Sequence, residues 1–219
     1  MKLLILIPCY NTHKYLRQLL SLIVSKTDIT ILLIDDGSSP PLSIDEFQDN
    51  NIILKRNDIN KGKGHSIKLG FCYALDNNYT HVITLDGDMQ HDPIDINKFI
   101  NHDKDTDFLI GSRKFKRPMP YSRILSNTIT SGIISMLVHK RINDSQCGYR
   151  RYKMSSISGF NFKENGYLLE SEILLNCIDR NTTVHNIDIK LIYDGSPSYI
   201  NKFDDSMRFV RLILRYLFA

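Results

Sequence analysis

Apolar and polar positions alternate along the first half of the chain in blocks that suit strands and helices in turn. Short runs of aliphatic and β-branched residues predict buried strands at 2–7, 29–34, 51–55, 81–85 and 107–110. Between them, residues 13–25 and 64–77 carry apolar side chains at helical spacing, and Pro93 suits the first turn of a further helix. Strands separated by helices predict parallel βαβ units. We therefore expect an α/β fold with a mainly parallel, Rossmann-like sheet flanked by helices.

The second half of the chain has a less regular pattern. Helices are predicted at 121–138 and 167–179, and strands at 147–153 and 184–192. A last, amphipathic helix is predicted at 205–218. Because no low-complexity linker and no repeat interrupts the chain, we expect a single domain over residues 1–219.

Composition and charge exclude several classes of protein. The chain has 28 basic and 24 acidic residues, and a net charge of +4 is too small to indicate a protein that binds nucleic acid. The four cysteines show neither a CxxC pair nor zinc-site spacing, which favours reduced thiols in the cytoplasm. The first apolar run is too short for a signal peptide, and no run approaches the ~18 apolar residues of a membrane span. We therefore expect a cytoplasmic protein that does not cross a membrane by itself.

Polar loops follow three of the predicted strands, at residues 9–12, 35–39 and 86–92. In doubly wound sheets, ligands bind beyond the carboxyl ends of the strands. The three loops are therefore expected to meet at one edge of the sheet and to form a single binding site.

Each of two loops carries a pair of acidic residues. Asp86 and Asp88 are two apart after a strand, so their carboxylates can point the same way and share one divalent cation with its phosphate ligands. A solvated turn that caps the next helix is the alternative. Asp35 and Asp36 can accept hydrogen bonds from ribose hydroxyl or base N–H groups. There the alternative is an Asx turn.

A glycine-rich turn, NKGKGH at 60–65, opens the second predicted helix. Backbone amides and lysines at a helix N-terminus suit a diphosphate group. The spacing differs from that of a Walker A loop and from the dinucleotide-binding fingerprint. A plain helix-entry loop is the alternative.

Taken together, these segments resemble one protein family. They are PCYN at 8–11, IDDGS at 34–38, GKGHS at 62–66, LDGDMQHDP at 85–93 and GSR at 111–113. Their order and spacing resemble the family 2 glycosyltransferases of the GT-A fold, especially the dolichyl-phosphate mannosyltransferase and polyprenyl-phosphate glycosyltransferase branch. DSQCGYR at 144–150 and GYLLESE at 166–172 resemble later segments of that branch, so the likeness covers almost the whole chain.

The resemblance implies a role for each segment. Residues 1–111 would bind the nucleotide-sugar donor, residues 112–204 would bind the acceptor, and residues 205–219 would form the C-terminal helix. The donor would be bound by Pro8, Tyr10, Asn11, Asp35, Asp36, Lys63 and Asp86. Mg²⁺ or Mn²⁺ would be bound by Asp86, Asp88 and Gln90. The acceptor phosphate would be bound by Arg113, Arg123 and Gln146, and the catalytic residues would be Asp86, Asp88 and Arg113.

The implied activity is the inverting transfer of a sugar from a GDP- or UDP-sugar to a polyprenyl phosphate, such as dolichyl or undecaprenyl phosphate. Thr12 stands where that branch usually has Glu, which leaves the choice of donor open. A hydroxyl acceptor in polysaccharide or glycolipid synthesis is the alternative, and it would require a general base among Asp144, Glu170 and Glu172. A nucleotide-sugar-binding module without activity is disfavoured by the intact carboxylates. A nucleotidyltransferase is disfavoured by PCYN in place of its N-terminal glycine-rich loop.

The C-terminal helix has two alternative partners. Arg208, Arg211 and Arg215 are spaced to line one face, and apolar residues cover most of the rest. The apolar side either packs on the protein's own core or another subunit, or it lies at a membrane surface with the arginines toward anionic headgroups. A lipid substrate favours the membrane, with residues 129–138 as a second contact. The expected location is then the cytoplasm, peripherally at the inner face of the membrane.

Overall fold

A computed structural model describes residues 1–47, 51–114, 119–192 and 202–218, with only the backbone described at 202–205. The strands are β1 (Leu3–Cys9), β2 (Ile31–Asp35), β3 (Ile52–Arg56), β4 (His81–Thr84), β5 (Phe108–Arg113), β6 (Arg150–Lys153) and β7 (Val184–Ile189). The helices are α1 (His13–Val24), α2 (Lys63–Asp76), α3 (Ile96–Ile100), α4 (Tyr121–Val138), α5 (Leu169–Cys177) and α6 (Lys202–Leu217). The elements predicted from periodicity are therefore confirmed, most of them within two or three residues of their predicted ends.

The described strands form one sheet in the order β3-β2-β1-β4-β6-β5-β7. β1 pairs in parallel with β2 and β4, and β5 pairs in parallel with β7. β6 is inserted antiparallel between β4 and β5, so its first residue, Arg150, pairs with Thr84 and with Ile110. The expected mainly parallel α/β sheet is confirmed. The reversed strand has a further consequence, because it brings the loop before β6 to the edge at which the parallel strands end.

Strict alternation along the central strands fills two cores. In β1, Leu4 and Leu6 face the layer formed by α2, α4, α5 and α6, whereas Ile5 and Ile7 face α1 and α3. All four side chains are fully buried. A strand covered on both faces is expected to be an uninterrupted apolar run, as LLILI at 3–7 is.

A buried arginine fixes the end of the short helix α3. The guanidinium of Arg151, in β6, donates hydrogen bonds to the carbonyl oxygens of Phe99, His102 and Asp103. Phe99 lies in the last turn of α3 and the other two residues follow it, where carbonyl oxygens have no partner within a helix. The side chain is fully buried, and carbonyl oxygens take the place of a carboxylate as its partners.

The C-terminal helix packs on the protein's own core, the first of the two predicted alternatives. Phe209 and Leu212 are buried against the layer that contains α5. Along the described helices, no segment is both long enough and apolar enough to span a membrane.

Gly70 lets α2 lie directly on β1, and this contact can be tested. A Cβ atom at Gly70 would overlap the fully buried side chain of Leu6. We expect Gly70→Ala to lower the free energy of unfolding by about 1–3 kcal/mol, the usual cost of overpacking a core.

Gly132→Ala is the control, because Gly132 lies in α4 with nothing within 4 Å of the added atom. There, alanine should stabilise the protein by up to about 1 kcal/mol. Urea denaturation of both variants measures the difference, and equal unfolding midpoints would contradict the close-contact argument.

Candidate active site at the carboxyl edge of the sheet

The loops after β1 and β2 are joined by hydrogen bonds, as their place in the sheet predicts. The backbone N–H of Asn11 donates to Ser38 Oγ at 2.9 Å, and Asn11 Oδ1 accepts from the N–H of Ser39 at 3.0 Å. Asn11 has a φ of 53°, a left-handed conformation that asparagine tolerates better than most residues. Pro8 is partly buried below this junction, and Tyr10 is 48% exposed beside it. The junction leaves the Tyr10 ring free to contact a ligand.

Asp35 shapes the loop in which it lies. Its carboxylate is fully buried and accepts from the N–H groups of Ser38 (2.8 Å) and Leu42 (3.2 Å) and from the guanidinium of Arg56. Burial alone would raise the pKa of Asp35, but these hydrogen bonds outweigh it and lower the pKa below its ordinary value. Asp35 therefore has a structural role in this loop, through N–H groups three and seven residues on, and donor binding by Asp35 stays a prediction.

Asp36 connects this loop to the glycine-rich turn. Its carboxylate accepts from Asn57 Nδ2 at 2.7 Å and from the N–H groups of Lys61 (3.1 Å) and Gly62 (2.8 Å). Gly62 has a φ of 99°, and an added Cβ atom would overlap the carbonyl oxygen of Asn165. The turn is thus held from one side by Asp36 and from the other by the segment before α5. A direct contact of Asp36 with a donor also stays a prediction.

Lys63, the first residue of α2, joins two acidic side chains. Its ammonium lies 2.6 Å from Asp86 Oδ1 and 2.7 Å from Glu170 Oε1. Burial alone would lower the pKa of Lys63, but the two carboxylates outweigh it and raise the pKa above its ordinary value. Lys63 therefore carries its charge in the site at all physiological pH values.

Glu170 and Glu172 face different sides of α5, as their spacing predicts. Glu170 is buried and points to Lys63, whereas Glu172 accepts hydrogen bonds from the backbone of Lys163 and Glu164. The sequence identified Glu170 only as one of several candidate bases. Its pairing with Lys63 depends on how α5 packs beside α2, which no local pattern indicates.

The loop before β6 lies against the ion pair of Lys63 and Asp86. A Cβ atom on Gly148 would be 2.5 Å from Asp86 Oδ2 and 2.6 Å from Lys63 Nζ, so a side chain here would displace the ion pair of Lys63 and Asp86. Arg150 is fully buried and donates to the carbonyl oxygens of Ser145 (2.6 Å), Cys147 (2.7 Å) and Glu170 (2.9 Å). Arg150 thereby fixes the loop and the start of α5 together.

Asp86 and Asp88 differ in proton affinity. Burial would raise the pKa of Asp86, but the charges of Lys63 and of other nearby cations outweigh it, and the pKa is lowered. Burial and then the charge of Asp86 raise the pKa of Asp88 to about 6. Asp88 Oδ1 accepts from the N–H of Gln90 at 3.0 Å, so the backbone of Gln90 is fixed on Asp88. Among the described residues, no group of three or more His, Cys, Asp or Glu side chains is arranged to hold a metal ion.

Arg113 is held by a buried carboxylate. Its Nε lies 2.6 Å from Asp144 Oδ2 and a terminal nitrogen lies 2.9 Å from Oδ1, which is a bidentate pair. Asp144 is fully buried, and the Arg113 side chain keeps 13% of its surface exposed. Burial would lower the pKa of Arg113, and Asp144 outweighs it and raises the pKa. Both oxygens of Asp144 are therefore engaged by Arg113, and a role of Asp144 as general base stays a prediction.

The remaining predicted acceptor residues lie around α4. Gln146 Nε2 donates to Thr130 Oγ1 at 3.2 Å, and Arg123 lies in the first turn of the helix. The structure therefore brings Gln146 to α4 and beside Asp144, whose Oδ1 accepts from the Gln146 N–H at 3.3 Å. Binding of a phosphate by these residues stays a prediction.

His91 is a buried residue that the sequence analysis did not single out. Burial lowers the pKa of His91 to about 4, so the ring is neutral at neutral pH. It stacks at 6.0 Å on Tyr149, which in turn stacks at 4.4 Å on Phe99. Tyr149 and Tyr152 are both fully buried and pack in the core.

Comparison with known proteins identifies the family. The model for glycosyl transferase family 2 matches residues 4–166. The chain is 33% identical over 210 residues to the uncharacterized protein MJ0544 of Methanocaldococcus jannaschii, covering 89% of this chain and 90% of that one. It is 26% identical over 216 residues to UDP-N-acetylglucosamine–dolichyl-phosphate N-acetylglucosaminyltransferase of Methanococcus voltae, covering 86% and 85% of the two chains. Its fold matches glucosyl-3-phosphoglycerate synthase of Mycobacterium tuberculosis in complex with UDP, with a TM-score of 0.74 at 11% identity over 98% of this chain and 79% of that one. The chain therefore belongs to glycosyl transferase family 2 and has the GT-A fold.

Proposed function

We propose that this glycosyltransferase moves a sugar from a nucleoside diphosphate sugar to a polyprenyl phosphate, with inversion at the anomeric carbon. The observation that carries the proposal is the cluster at the carboxyl edge of the sheet, where Lys63, Asp86 and Asp88 lie together and Arg113 is held nearby by Asp144. The name of the Methanococcus voltae relative, which describes transfer from a UDP-sugar to dolichyl phosphate, supports it.

The donor would lie across the loops that follow β1, β2 and β4. Tyr10 is exposed for contact with the base, and Pro8 and Asn11 shape the loop beside it. Lys63 supplies a permanent positive charge for the diphosphate. Asp35 and Asp36 contribute by fixing the loops that surround the nucleotide.

Asp86 and Asp88 fit a divalent cation. Their oxygens are the hard ligands that Mg²⁺ and Mn²⁺ prefer. Burial, and after it the nearby charge of Asp86, raise the pKa of Asp88, and a bound cation would offset the repulsion between the two carboxylates. Asp86, Asp88 and Gln90 would hold the cation, and diphosphate oxygens and water would complete its ligands. When bound, the cation would neutralise the charge that develops on the departing nucleoside diphosphate. A structure of glucosyl-3-phosphoglycerate synthase contains Mn²⁺ with UDP-glucose, which supports this assignment.

A phosphate acceptor suits the groups on the acceptor side. A phosphate monoester has a second pKa of about 6, so it is already an anionic nucleophile near neutral pH and needs no general base. Arg113 and Arg123 would bind it as cations, together with Gln146. The engagement of Asp144 by Arg113 supports a reaction without a base at this position.

Two exposed apolar surfaces suit a lipid substrate at the inner face of a membrane. On α6, the side chains of Val210, Leu214 and Leu217 are about half exposed, although Phe209 and Leu212 of the same helix are buried. On α4, the exposed apolar residues on one face are Leu125, Ile129 and Met136. Surfaces of this kind favour binding at the boundary between headgroups and acyl chains. Arg208 and Arg211 are exposed on α6, whereas Arg215 points to Glu164 and Glu172 and is not available for headgroups.

Asp88→Asn tests the cation. We expect turnover to fall by about 10²-fold or more, because the amide cannot supply the charge that stabilises the leaving group through a metal. The control is Asp92→Asn in the same loop, where the side chain caps the next turn by accepting from the N–H of Ile94, as an amide oxygen can. Sugar transfer is measured with Mg²⁺, with Mn²⁺ and in excess EDTA. Full activity in EDTA, or normal turnover of Asp88→Asn, would show that no metal is required.

Arg123→Ala tests the acceptor. We expect the KM for a short polyprenyl phosphate to rise by about tenfold or more, the typical effect of losing a hydrogen bond to a charged group, with donor affinity unchanged. Arg113→Lys is the second variant, because alanine at this position would leave Asp144 buried without its partner and destabilise the fold. Equal rates with a polyprenyl phosphate and with the unphosphorylated polyprenol would exclude the phosphate acceptor.

A double substitution of Val210→Glu and Leu214→Glu tests the membrane surface. Both side chains are exposed, so the fold should be retained while the apolar face of α6 is lost. In flotation with vesicles that contain anionic lipid, the wild type should rise with the vesicles and the variant should remain below. A wild type that fails to float, or a variant that floats equally well, would contradict this surface.

A further inference from the structure

The C-terminal helix is attached to the body of the protein by an ion pair with a buried carboxylate. A terminal nitrogen of Arg215 lies 3.0 Å from Glu164 Oε1 and 3.0 Å from Glu172 Oε1. Glu172 is only 2% exposed, whereas Arg215 keeps 38% of its side-chain surface exposed. A buried carboxylate of this kind needs several donors to offset its lost hydration.

Glu172 also organises the segment before α5. Its Oε1 accepts from the N–H of Lys163 at 3.0 Å, and its Oε2 accepts from the N–H of Glu164 at 2.8 Å. Arg215 therefore completes a set of three donors around one carboxylate. Two of these donors belong to the backbone of the segment itself, so the position of that segment depends on the position of the carboxylate.

The next residues of this segment lie directly on the glycine-rich turn. The carbonyl oxygen of Asn165 accepts from the N–H of His65 at 3.1 Å. A Cβ atom at Gly64 would be 2.7 Å from the carbonyl carbon of Asn165 and 2.8 Å from the carbonyl oxygen of Gly166, and one at Gly62 would overlap Asn165. The two backbones are in full contact, so a shift of residues 165–166 moves the turn.

The turn carries Lys63, whose ammonium is oriented by Asp86 and by Glu170. Glu170 and Glu172 both belong to α5. The helix α5 therefore orients Lys63 through the carboxylate of Glu170. Through the carboxylate of Glu172 it also holds the segment that supports the glycine-rich turn. The contacts run without a gap from Arg215 in α6 to Lys63 in the active site.

We propose that Arg215 and Glu172 are positioning residues for the donor site, and that α6 is an integral part of that site through them. The proposal rests on the proposed function in that it takes the glycine-rich turn as the place where the donor diphosphate binds. Without Arg215, Glu172 keeps only the two backbone donors in a buried place, and the segment at 163–166 loosens. The turn then loses its support, and nucleotide affinity falls although no residue in contact with the nucleotide has changed.

Arg215→Met in the full-length protein tests the proposal, since methionine retains the aliphatic length and removes the charge. The first readout is hydrogen exchange at the His65 amide in the free protein, which should become about 3- to 10-fold faster, as expected when a local hydrogen-bonded contact weakens. The second is the Kd of UDP and GDP by calorimetry, in which the nucleotide that binds the wild type should bind more weakly by a similar factor. The KM for the donor should rise while the KM for the acceptor does not change.

Two further variants separate this role from a general effect of charge or of helix loss. Arg211→Met removes the same charge from an exposed position on the same helix and should leave the exchange at His65 at the wild-type rate. Arg215→Lys should restore most of the protection, because lysine can still donate to Glu172. If Arg215→Met fails to fold by circular dichroism, Glu164→Ala removes one of the two partners of Arg215 at a side chain that is 24% exposed, and should raise the exchange rate to a smaller extent.

The possible outcomes distinguish a failure of the positioning role of Arg215 from a failure of the proposed function. Unchanged exchange at His65 in a folded Arg215→Met protein, or in Glu164→Ala if that is the folded variant, would overturn the proposal. Equal acceleration in Arg211→Met would also overturn it, because the effect would then belong to the charge of α6 as a whole. If exchange accelerates as expected but the wild type binds none of UDP, GDP, CDP and dTDP in the same calorimetry, the structural support is present and the proposed function is wrong.

Discussion

The site depends on the ammonium group of Lys63 between the carboxylates of Asp86 and Glu170. Three segments that are far apart in sequence meet at this group, and each carries a charge that would be costly to bury alone. Gly148 lies against this ion pair, and a side chain at that position would displace Lys63 and Asp86. The geometry of this edge of the sheet therefore follows from one requirement, that the partly buried Lys63 stays with the partly buried Asp86 and the buried Glu170.

Two fully buried arginines in β6 also bind several segments together, with carbonyl oxygens as their partners. Arg150 and Arg151 are neighbours in β6, and their side chains donate to carbonyl oxygens on opposite sides of the sheet. One fixes the loop before β6 and the start of α5, and the other fixes the end of α3. Because carbonyl oxygens are their partners, these cations hold irregular backbone in place where no regular secondary structure could satisfy it.

The C-terminal helix has both a buried and an exposed apolar face, although the sequence presented core packing and membrane contact as alternatives. Phe209 and Leu212 pack it on the core, and Arg215 connects it to Glu172, while Val210 and Leu214 remain exposed. A helix with an apolar surface on more than one side can pack on its own protein and still present a face to a lipid surface. Under the proposed function, the same helix would contact the membrane and support the donor site.

The sequence by itself determined the elements, the parallel α/β architecture and the edge at which the loops meet. The spacing of apolar residues along a segment depends only on which of its faces are buried. The apolar run at 3–7 is an example, because alternate residues of this strand lie in the two cores on either side of the sheet. The sequence also determined the family, because the short motifs and their order along the chain can be read without knowing the structure. The tertiary structure alone decided that β6 runs antiparallel, that Asp144 binds Arg113, and that Glu170 pairs with Lys63. These contacts join residues 31 to 107 positions apart in the chain. A charged side chain finds such a partner only when packing excludes water from both, and no local pattern of residues encodes that exclusion.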